Sequence, residues 1–239
     1  MKYINFDVLN TIDSTKYQSN SPFPYTNVAS ALYEDAYNLL LQTAPDVSLF
    51  ENQFGIERSY GQKFHDKFYL LYTDTVPVAT PWKEFIAELQ SREYCNFIET
   101  LFAMKQGTYS LALSWHYMTR GSCITPHCDT AKKIGSQLFY LNTSDTWNEE
   151  WGGQTLALDD RGEKNPLSGP DISEFYNVFK SKSVDNNSFI FTRTEHSWHA
   201  VEELKCPEDQ FRKMFSVVAN RKPTFYDRIK SRIKRYTSF

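Results

Sequence analysis

The sequence changes to a two-residue hydrophobic period after Gly107. Large apolar residues alternate with small or polar ones from position 109 to 117, which predicts a β-strand with one apolar face and one polar face. On this pattern we expect Tyr117 to point inward and His116 outward. Further short strands are predicted at 136–142, 154–158, 188–192 and 212–220. Strands without intervening helices favour an antiparallel sandwich or barrel over alternating strand–helix units.

The first 106 residues carry mainly helical signals. Apolar residues recur at helical spacing within 27–45. Thr80 before Pro81 predicts the start of a second helix, and Ser91 predicts the N-cap of a third. We therefore expect 1–106 to be a mostly helical support that covers one face of a sheet.

The rest of the chain is expected to complete one domain. Residues 107–220 are predicted to form its β core, interrupted by a lid insertion at 159–187, because a connection of this length is often a lid or binding loop. Asp171, with Glu174 three residues later, predicts a helix within the insertion. A C-terminal helix with a basic, solvated face is predicted at 221–239.

Composition limits the partners and the compartment. The 26 Lys and Arg nearly balance the 29 Asp and Glu, which argues against nucleic acid as a partner. No apolar run is long enough for a membrane helix, and the first residues lack the features of a secretory signal. The 4 cysteines are scattered without close pairs. We expect a cytoplasmic protein with reduced thiols and no membrane partner.

One histidine has the spacing of a metal ligand. Of the 5 histidines, His127 alone is followed by a carboxylate two positions on, Asp129. In an extended segment both side chains lie on one face while Cys128 points away. Two imidazoles and a carboxylate are the ligand set of a non-haem ferrous centre. We choose His199 as the second imidazole, and His196 is the alternative.

These residues belong to a longer pattern. The His127 motif, the strand ending at Asn142, the glycine pair at 152–153, His199 and Arg212 follow one another along the core. In order and approximate spacing they resemble the prolyl-4-hydroxylase-like branch of the iron(II)- and 2-oxoglutarate-dependent oxygenases. The resemblance implies an α+β fold with a mainly β core, a double-stranded β-helix (jelly-roll or cupin-like barrel) with N-terminal supporting helices.

The resemblance also implies roles for single residues. It makes the catalytic metal ligands His127, Asp129 and His199. Arg212 would bind the distal carboxylate of 2-oxoglutarate through its planar guanidinium, with Lys213 as the alternative. Tyr140 and Tyr117 match positions at which a tyrosine hydroxyl assists that carboxylate.

By the same resemblance, the cofactors are iron(II), 2-oxoglutarate as co-substrate, and dioxygen. The implied reaction hydroxylates a C–H bond of a small metabolite or of a peptide or protein side chain, and converts 2-oxoglutarate to succinate and carbon dioxide. Asp129 favours hydroxylation, because similar enzymes that halogenate carry a small residue there. Two alternatives stay open: a non-catalytic jelly-roll binding or sensor protein, and a zinc-dependent hydrolase or isomerase that uses the same residues.

Several charged and polar residues near the motif have two interpretations. Lys132 and Lys133, with Arg120, are interpreted as solvated surface charge, with binding of an anionic substrate as the alternative. His65 is interpreted as a packing residue or a substrate contact. Glu195, like His196, is a candidate for orienting His199. Substrate selectivity is expected to reside in the N-terminal region and the insertion.

Overall fold

The computed structural model describes residues 1–56, 62 and 65–223. Within these residues the α-helices are α1 (Phe6–Leu9), α2 (Ser14–Gln18), α3 (Glu34–Gln42), α4 (Thr80–Leu89) and α5 (Arg92–Leu101). The strands are β1 (Tyr25–Ala29), β2 (Glu51–Gln53), β3 (Lys67–Leu71), β4 (Tyr109–Met118), β5 (Ile124–His127), β6 (Lys133–Tyr140), β7 (Leu156–Asp159), β8 (Asn177–Lys180), β9 (Asn187–Thr192), β10 (His199–Val201) and β11 (Arg212–Arg221).

The strands form two antiparallel sheets. The seven-stranded major sheet has the order β1-β9-β6-β11-β4-β3-β2, and the four-stranded minor sheet has the order β5-β10-β7-β8. A cavity between them is lined by residues of both sheets. This is the antiparallel arrangement that the strand pattern predicts.

Helices α4 and α5 cover the outer face of the major sheet. Pro81 lies in the first turn of α4, and the Ser91 hydroxyl accepts a hydrogen bond from the first turn of α5. The Trp82 ring packs against Trp115 of β4 with 5.0 Å between ring centroids. Burial of large aromatic side chains stabilises the fold by about 2 to 3 kcal/mol each. The helices therefore support the sheet from the side opposite the cavity.

The N-terminal region is less helical than predicted. It supplies β1, β2 and β3 to the major sheet, and the helix predicted within 27–45 is confined to α3. Strands of three to five residues are too short to show a clear two-residue period. Their extended form follows from pairing of β1 with β9, of β3 with β4 and of β2 with β3, which the local sequence does not show.

Strand β4 alternates as predicted, but the prediction of which face points inward was wrong. Tyr117 lies on the outer face, where its ring packs on Phe50 and its hydroxyl donates to the Pro45 carbonyl at 3.0 Å. His116 lies on the inner face and lines the cavity. The reason is that both faces of this sheet are covered. The large apolar side chains of β4 pack on the outer face, which the helices cover, and its small and polar side chains line the cavity on the inner face.

The prediction of a helix in the 159–187 segment is also wrong beyond the first turn. Asp171 and Glu174 do form the capping box, but they cap only the 3₁₀ turn Ile172–Glu174. The chain then extends as β8 and pairs with β7. Pairing provides hydrogen-bond partners for the backbone groups at the open edge of β7. The Phe179 ring also packs on Tyr25, with 4.9 Å between ring centroids. Residues 177–180 of the segment thus belong to the minor sheet.

At the C-terminus, β11 continues to Arg221, so the predicted helix at 221–239 does not begin there. The rest of that prediction, from 224 onward, lies outside the described residues. Among the helices that the structure describes, none has the length and apolar character needed to cross a bilayer.

Candidate metal centre

Two histidines and one aspartate meet at the cavity end of the minor sheet. His127 of β5 and His199 of β10 are directly paired across neighbouring strands. One nitrogen from each ring and one Asp129 oxygen all lie within 4.8 Å of one another. Cys128 between the ligands points the other way, and its thiol donates to the Glu195 carbonyl. The strand pleat therefore places both side chains of the His-x-Asp motif on one side.

Backbone carbonyls orient both imidazoles. His127 Nδ1 lies 3.0 Å from the Thr125 carbonyl oxygen, and His199 Nδ1 lies 2.9 Å from that of Ser197. A carbonyl can only accept, so each Nδ1 carries the proton and each Nε2 keeps its lone pair for a metal ion. Burial lowers the pKa of both histidines, which keeps the rings neutral.

The alternative ligand His196 lies away from this centre. Its Nδ1 contacts Asp160 Oδ2 at 2.8 Å. Asp160 is buried and also accepts from the Trp198 indole at 3.0 Å. These contacts fix the turn that precedes His199, whereas the His199 ring itself hydrogen-bonds to the Ser197 carbonyl.

Asp129 is buried and ionised. Burial raises the pKa of its carboxyl group, but the charge and hydrogen bond of the Lys133 ammonium oppose this, and the pKa lies below its ordinary value. Lys133 Nζ is 2.6 Å from Asp129 Oδ1. The Arg193 guanidinium donates to the Asp129 main-chain carbonyl at 3.0 Å, which fixes the backbone beyond β5.

Arg212 lies in the same cavity and is 2% exposed. Its Nε donates to the Gly153 carbonyl, and its Nη2 lies 3.3 Å from the Thr155 hydroxyl. Among the described residues no carboxylate pairs with it. Lys213, the sequence alternative, lies on the outer face with its ammonium 5.5 Å from the Tyr117 ring centroid.

Gly153 makes room for this arginine. Its φ is +97°, a conformation that side chains rarely adopt, and an added Cβ would lie 3.1 Å from Arg212 Cδ. The second glycine of the pair in the sequence pattern therefore has a structural role, which is to let the backbone approach the guanidinium.

The cavity that joins the metal centre to Arg212 has a volume of about 480 Å³. His65 lies at its wall with its ring centroid 4.3 Å from that of His127. The Phe191 ring covers His199 at 4.8 Å. Two neutral imidazoles and one carboxylate around an open cavity match the donor set of a redox-active ferrous site, so the residues present fit an iron ion.

The sequence matches no protein-family model and no curated protein. Solved structures do match. A prolyl-4-hydroxylase from Pseudomonas putida aligns with a TM-score of 0.64 at 14% identity, over 90% of this chain and 99% of that chain. A prolyl hydroxylase from Trichoplax adhaerens, solved with a peptide fragment of hypoxia inducible factor, aligns with a TM-score of 0.60 at 14% identity, over 89% of each chain.

EvdO2 from Micromonospora carbonacea, solved with 2-oxoglutarate, aligns with a TM-score of 0.55 at 15% identity, over 94% of this chain and 95% of that chain. The chain has the fold of the 2-oxoglutarate- and iron(II)-dependent oxygenases. The predicted double-stranded β-helix is therefore confirmed, and the resemblance to the prolyl-4-hydroxylase-like branch holds for the fold. At these identities the oxygenase fold is what the comparison establishes.

Within the oxygenase fold, the two tyrosines chosen from the sequence have different positions. Tyr140 is buried beside Arg212, with 5.6 Å between the guanidinium carbon and the ring centroid. Its hydroxyl contacts Thr155 Oγ1 and Ser181 Oγ, each at 2.8 Å. Tyr117 is on the outer face, as described above, so it does not reach the cavity and cannot assist a ligand of Arg212.

A polar cluster on the cavity floor was missed by the sequence reasoning. Ser114 Oγ and Ser216 Oγ lie 2.9 Å and 3.0 Å from His116 Nε2. Burial, with smaller contributions from nearby cations, holds the pKa of His116 well below its usual value. The alternation in β4 contains this information, since Ser114 and His116 share the face that is predicted to point outward.

Proposed function

We propose that this protein is an iron(II)- and 2-oxoglutarate-dependent oxygenase that hydroxylates a C–H bond. The observation that carries the proposal is the position of Arg212: a buried cation faces the same cavity as the metal centre and has no carboxylate partner among the described residues. A buried charge without a counterion is costly, so its presence is best explained by an anionic ligand.

The cavity fits 2-oxoglutarate in particular. A dicarboxylate with a keto group next to one acid needs a metal at one end and a cation at the other. Arg212 supplies the cation, and the Thr155 hydroxyl beside it is a second hydrogen-bonding group. A guanidinium binds a carboxylate through two parallel hydrogen bonds, which favours Arg212 as the anchor of the distal acid.

His127, Asp129 and His199 would hold the iron. When bound, iron with 2-oxoglutarate supplies the oxidising chemistry, in which dioxygen is consumed, 2-oxoglutarate becomes succinate and carbon dioxide, and a substrate C–H bond becomes C–OH. The chain orients the two imidazoles through the Thr125 and Ser197 carbonyls. The Phe191 ring and the buried walls limit water access to the reacting groups.

The group that is hydroxylated would belong to a small metabolite or to a side chain of a peptide. The peptide case has a precedent among the similar structures, since one is described in complex with a peptide fragment. The side of the cavity beside His65, whose ring lies against His127, would receive the group to be hydroxylated.

The test is formation of succinate. Purified protein is incubated with iron(II), ascorbate, air and 2-oxoglutarate labelled at C1, and both succinate and released carbon dioxide are measured. We expect slow iron-dependent turnover without a substrate, stimulation by a true substrate, and no turnover with zinc. Succinate no higher than in a His127→Ala variant, even across a broad panel of candidate substrates, would reject the proposal in favour of a binding protein.

A further inference from the structure

The guanidinium of Arg212 contacts two thioethers through one of its nitrogens. Its Nη1 lies 3.6 Å from the sulfur of Met118 and 3.9 Å from the sulfur of Met214. A thioether sulfur is only a weak hydrogen-bond acceptor. The stronger acceptors serve the other nitrogens, since Nε donates to the Gly153 carbonyl and Nη2 to the Thr155 hydroxyl. Among the described residues, Nη1 therefore has the weakest partners of the three nitrogens.

The two methionines differ in their access to the cavity. Met214 follows Arg212 on β11 at a spacing of two, so both side chains lie on the inner face, and both line the cavity. Met118 is paired with Arg212 from the neighbouring strand β4. It is fully buried and is not among the described residues that line the cavity. A small molecule dissolved in the cavity can therefore contact Met214 and not Met118.

The weak acceptors at Nη1 suit the proposed role of Arg212. A carboxylate is a much stronger acceptor than a thioether, so the distal acid of 2-oxoglutarate can take the Nη1 hydrogens away from the two sulfurs. A strong acceptor fixed on the side chain of residue 214 would compete with the acid for the same hydrogens. The chemical state of Met214 should therefore affect how well Arg212 binds an acid.

Oxidation of Met214 by hydrogen peroxide would create a strong acceptor at this place. The sulfur attacks one oxygen of the peroxide, an S–O bond forms and the O–O bond breaks. The departing hydroxide takes the proton from the transferred oxygen and becomes water. The sulfur loses two electrons and the peroxide gains them. The product is methionine sulfoxide, a polar side chain whose oxygen can accept a hydrogen bond from a guanidinium.

We infer that Met214 is an oxidation site that regulates binding of 2-oxoglutarate. As a thioether it leaves Nη1 of Arg212 available to the distal acid, and as a sulfoxide it occupies Nη1 and weakens that binding. The inference rests on the proposed function, which assigns Arg212 to 2-oxoglutarate. Met214 acts through Arg212, so it is a positioning residue of the co-substrate site.

The test compares binding of 2-oxoglutarate before and after treatment with peroxide. Metal-free protein is treated with hydrogen peroxide in the presence of a chelator, and catalase removes the excess. Dithiothreitol then reduces oxidised cysteines but not methionine sulfoxide. After desalting, the protein is loaded with zinc(II), which has no redox chemistry and prevents turnover.

Two measurements are made on the treated protein. Peptide mass spectrometry locates the added oxygen, and calorimetry gives the Kd for 2-oxoglutarate. We expect Met214 to be oxidised before Met118, because only Met214 lines the cavity. The Kd should rise by about tenfold as Met214 is converted, since a guanidinium hydrogen bond to the sulfoxide must be broken for the acid to bind.

Two leucine variants separate the methionines, and each is compared with itself before and after peroxide. Met214→Leu removes the oxidisable sulfur and nearly conserves the side-chain volume, so peroxide should not raise its Kd. Met118→Leu is the matched control, because it removes the other thioether at Nη1 and leaves Met214 in place. Its Kd should still rise by about tenfold. Urea unfolding verifies that both variants are folded.

The outcomes distinguish this regulation from the proposed function. If untreated zinc-loaded protein binds 2-oxoglutarate but Met214 resists oxidation, or its oxidation leaves the Kd unchanged, the regulation is rejected and the proposed function stands. An equal loss of affinity in Met214→Leu and in the parent also rejects it, because another residue is then responsible. If the untreated protein does not bind 2-oxoglutarate, the proposed function fails, and the regulation fails with it.

Discussion

Lys133 Nζ lies 2.6 Å from Oδ1 of Asp129, so an ammonium group holds the carboxylate that completes the candidate metal centre. The contact has two opposite effects. It stabilises a buried carboxylate in the metal-free protein, and its positive charge opposes the entry of a metal ion.

Replacing Lys133 should therefore separate these effects. We expect Lys133→Met to lower the free energy of unfolding of the metal-free protein by about 1 kcal/mol, a modest value because the pair is partly exposed to solvent. The same change should tighten zinc binding at pH 7.5 by roughly fivefold, since a nearby like charge is removed. Urea unfolding with a chelator and competition with a zinc indicator measure the two quantities. Unchanged or weaker zinc binding, compared with Lys132→Met, would show that the ammonium does not oppose the metal.

Arg212 should lower the stability of the ligand-free protein, although it provides the binding site for 2-oxoglutarate. Because it is a buried cation without an acidic partner among the described residues, we expect Arg212→Met to raise the free energy of unfolding of the ligand-free protein by about 1 kcal/mol. In zinc-loaded parent protein, 2-oxoglutarate at a hundred times its Kd should add about 2.7 kcal/mol, and in the variant it should add nothing. Arg212→Lys keeps the charge and should give an intermediate gain. If 2-oxoglutarate stabilised Arg212→Met as much as it stabilises the parent, the distal acid would bind elsewhere.

Stability should fall with decreasing pH. Burial lowers the pKa of His116, His127 and His199 in the folded protein, so the unfolded chain binds more protons below about pH 7. The free energy of unfolding of metal-free protein should be level above about pH 7.5 and fall from about pH 6.5 to 5, by up to about 1.4 kcal/mol per pH unit for each histidine. In His116→Gln one contribution is lost, and urea unfolding at each pH should show a shallower slope. An equal slope in parent and variant would mean that His116 is not held neutral.

Asp160 should affect the metal centre without touching it. Its carboxylate accepts hydrogen bonds from His196, from Trp198 and from the backbone of Gly162 and Lys164. We expect Asp160→Ala to lower the free energy of unfolding by about 3 kcal/mol and to weaken zinc binding, because the turn before His199 loses its anchor. His196→Ala removes one exposed partner and should have a smaller effect on both. Zinc affinity equal to that of the parent would show that other contacts position His199.

The pair of ligands His127 and Asp129 could be predicted from the sequence because their relative geometry is local. A spacing of two on an extended segment puts His127 and Asp129 on one side, and the odd separation of His196 from His199 puts those two on opposite sides. The structure brings His127 and Asp129 together with His199, which is predicted from its place after the strand at 188–192 and from the family resemblance. The position of Arg212 on the inner face and Lys213 on the outer face follows from the same alternation in β11.

The errors arose where long-range pairing or packing decides. Alternation in β4 shows that the strand has two faces but not which face the helices cover. The prediction therefore assigned His116 and Tyr117 each to the wrong face. The apolar spacing at 172–179 is compatible with a helix, and pairing with β7 makes its second half a strand. Lys67 reaches the cavity because β3 pairs with β4, a contact between distant parts of the chain.

The central claim is that one cavity binds a ferrous ion and 2-oxoglutarate together, and the anaerobic visible absorption spectrum tests it most directly. Iron(II) and 2-oxoglutarate added to the parent protein without dioxygen should produce a saturable charge-transfer band from the chelate. The band should be lost or shifted in Asp129→Ala, and it should require much higher 2-oxoglutarate in Arg212→Ala. No band in the parent, or an identical band at the same concentrations in both variants, would contradict the assignment of these residues.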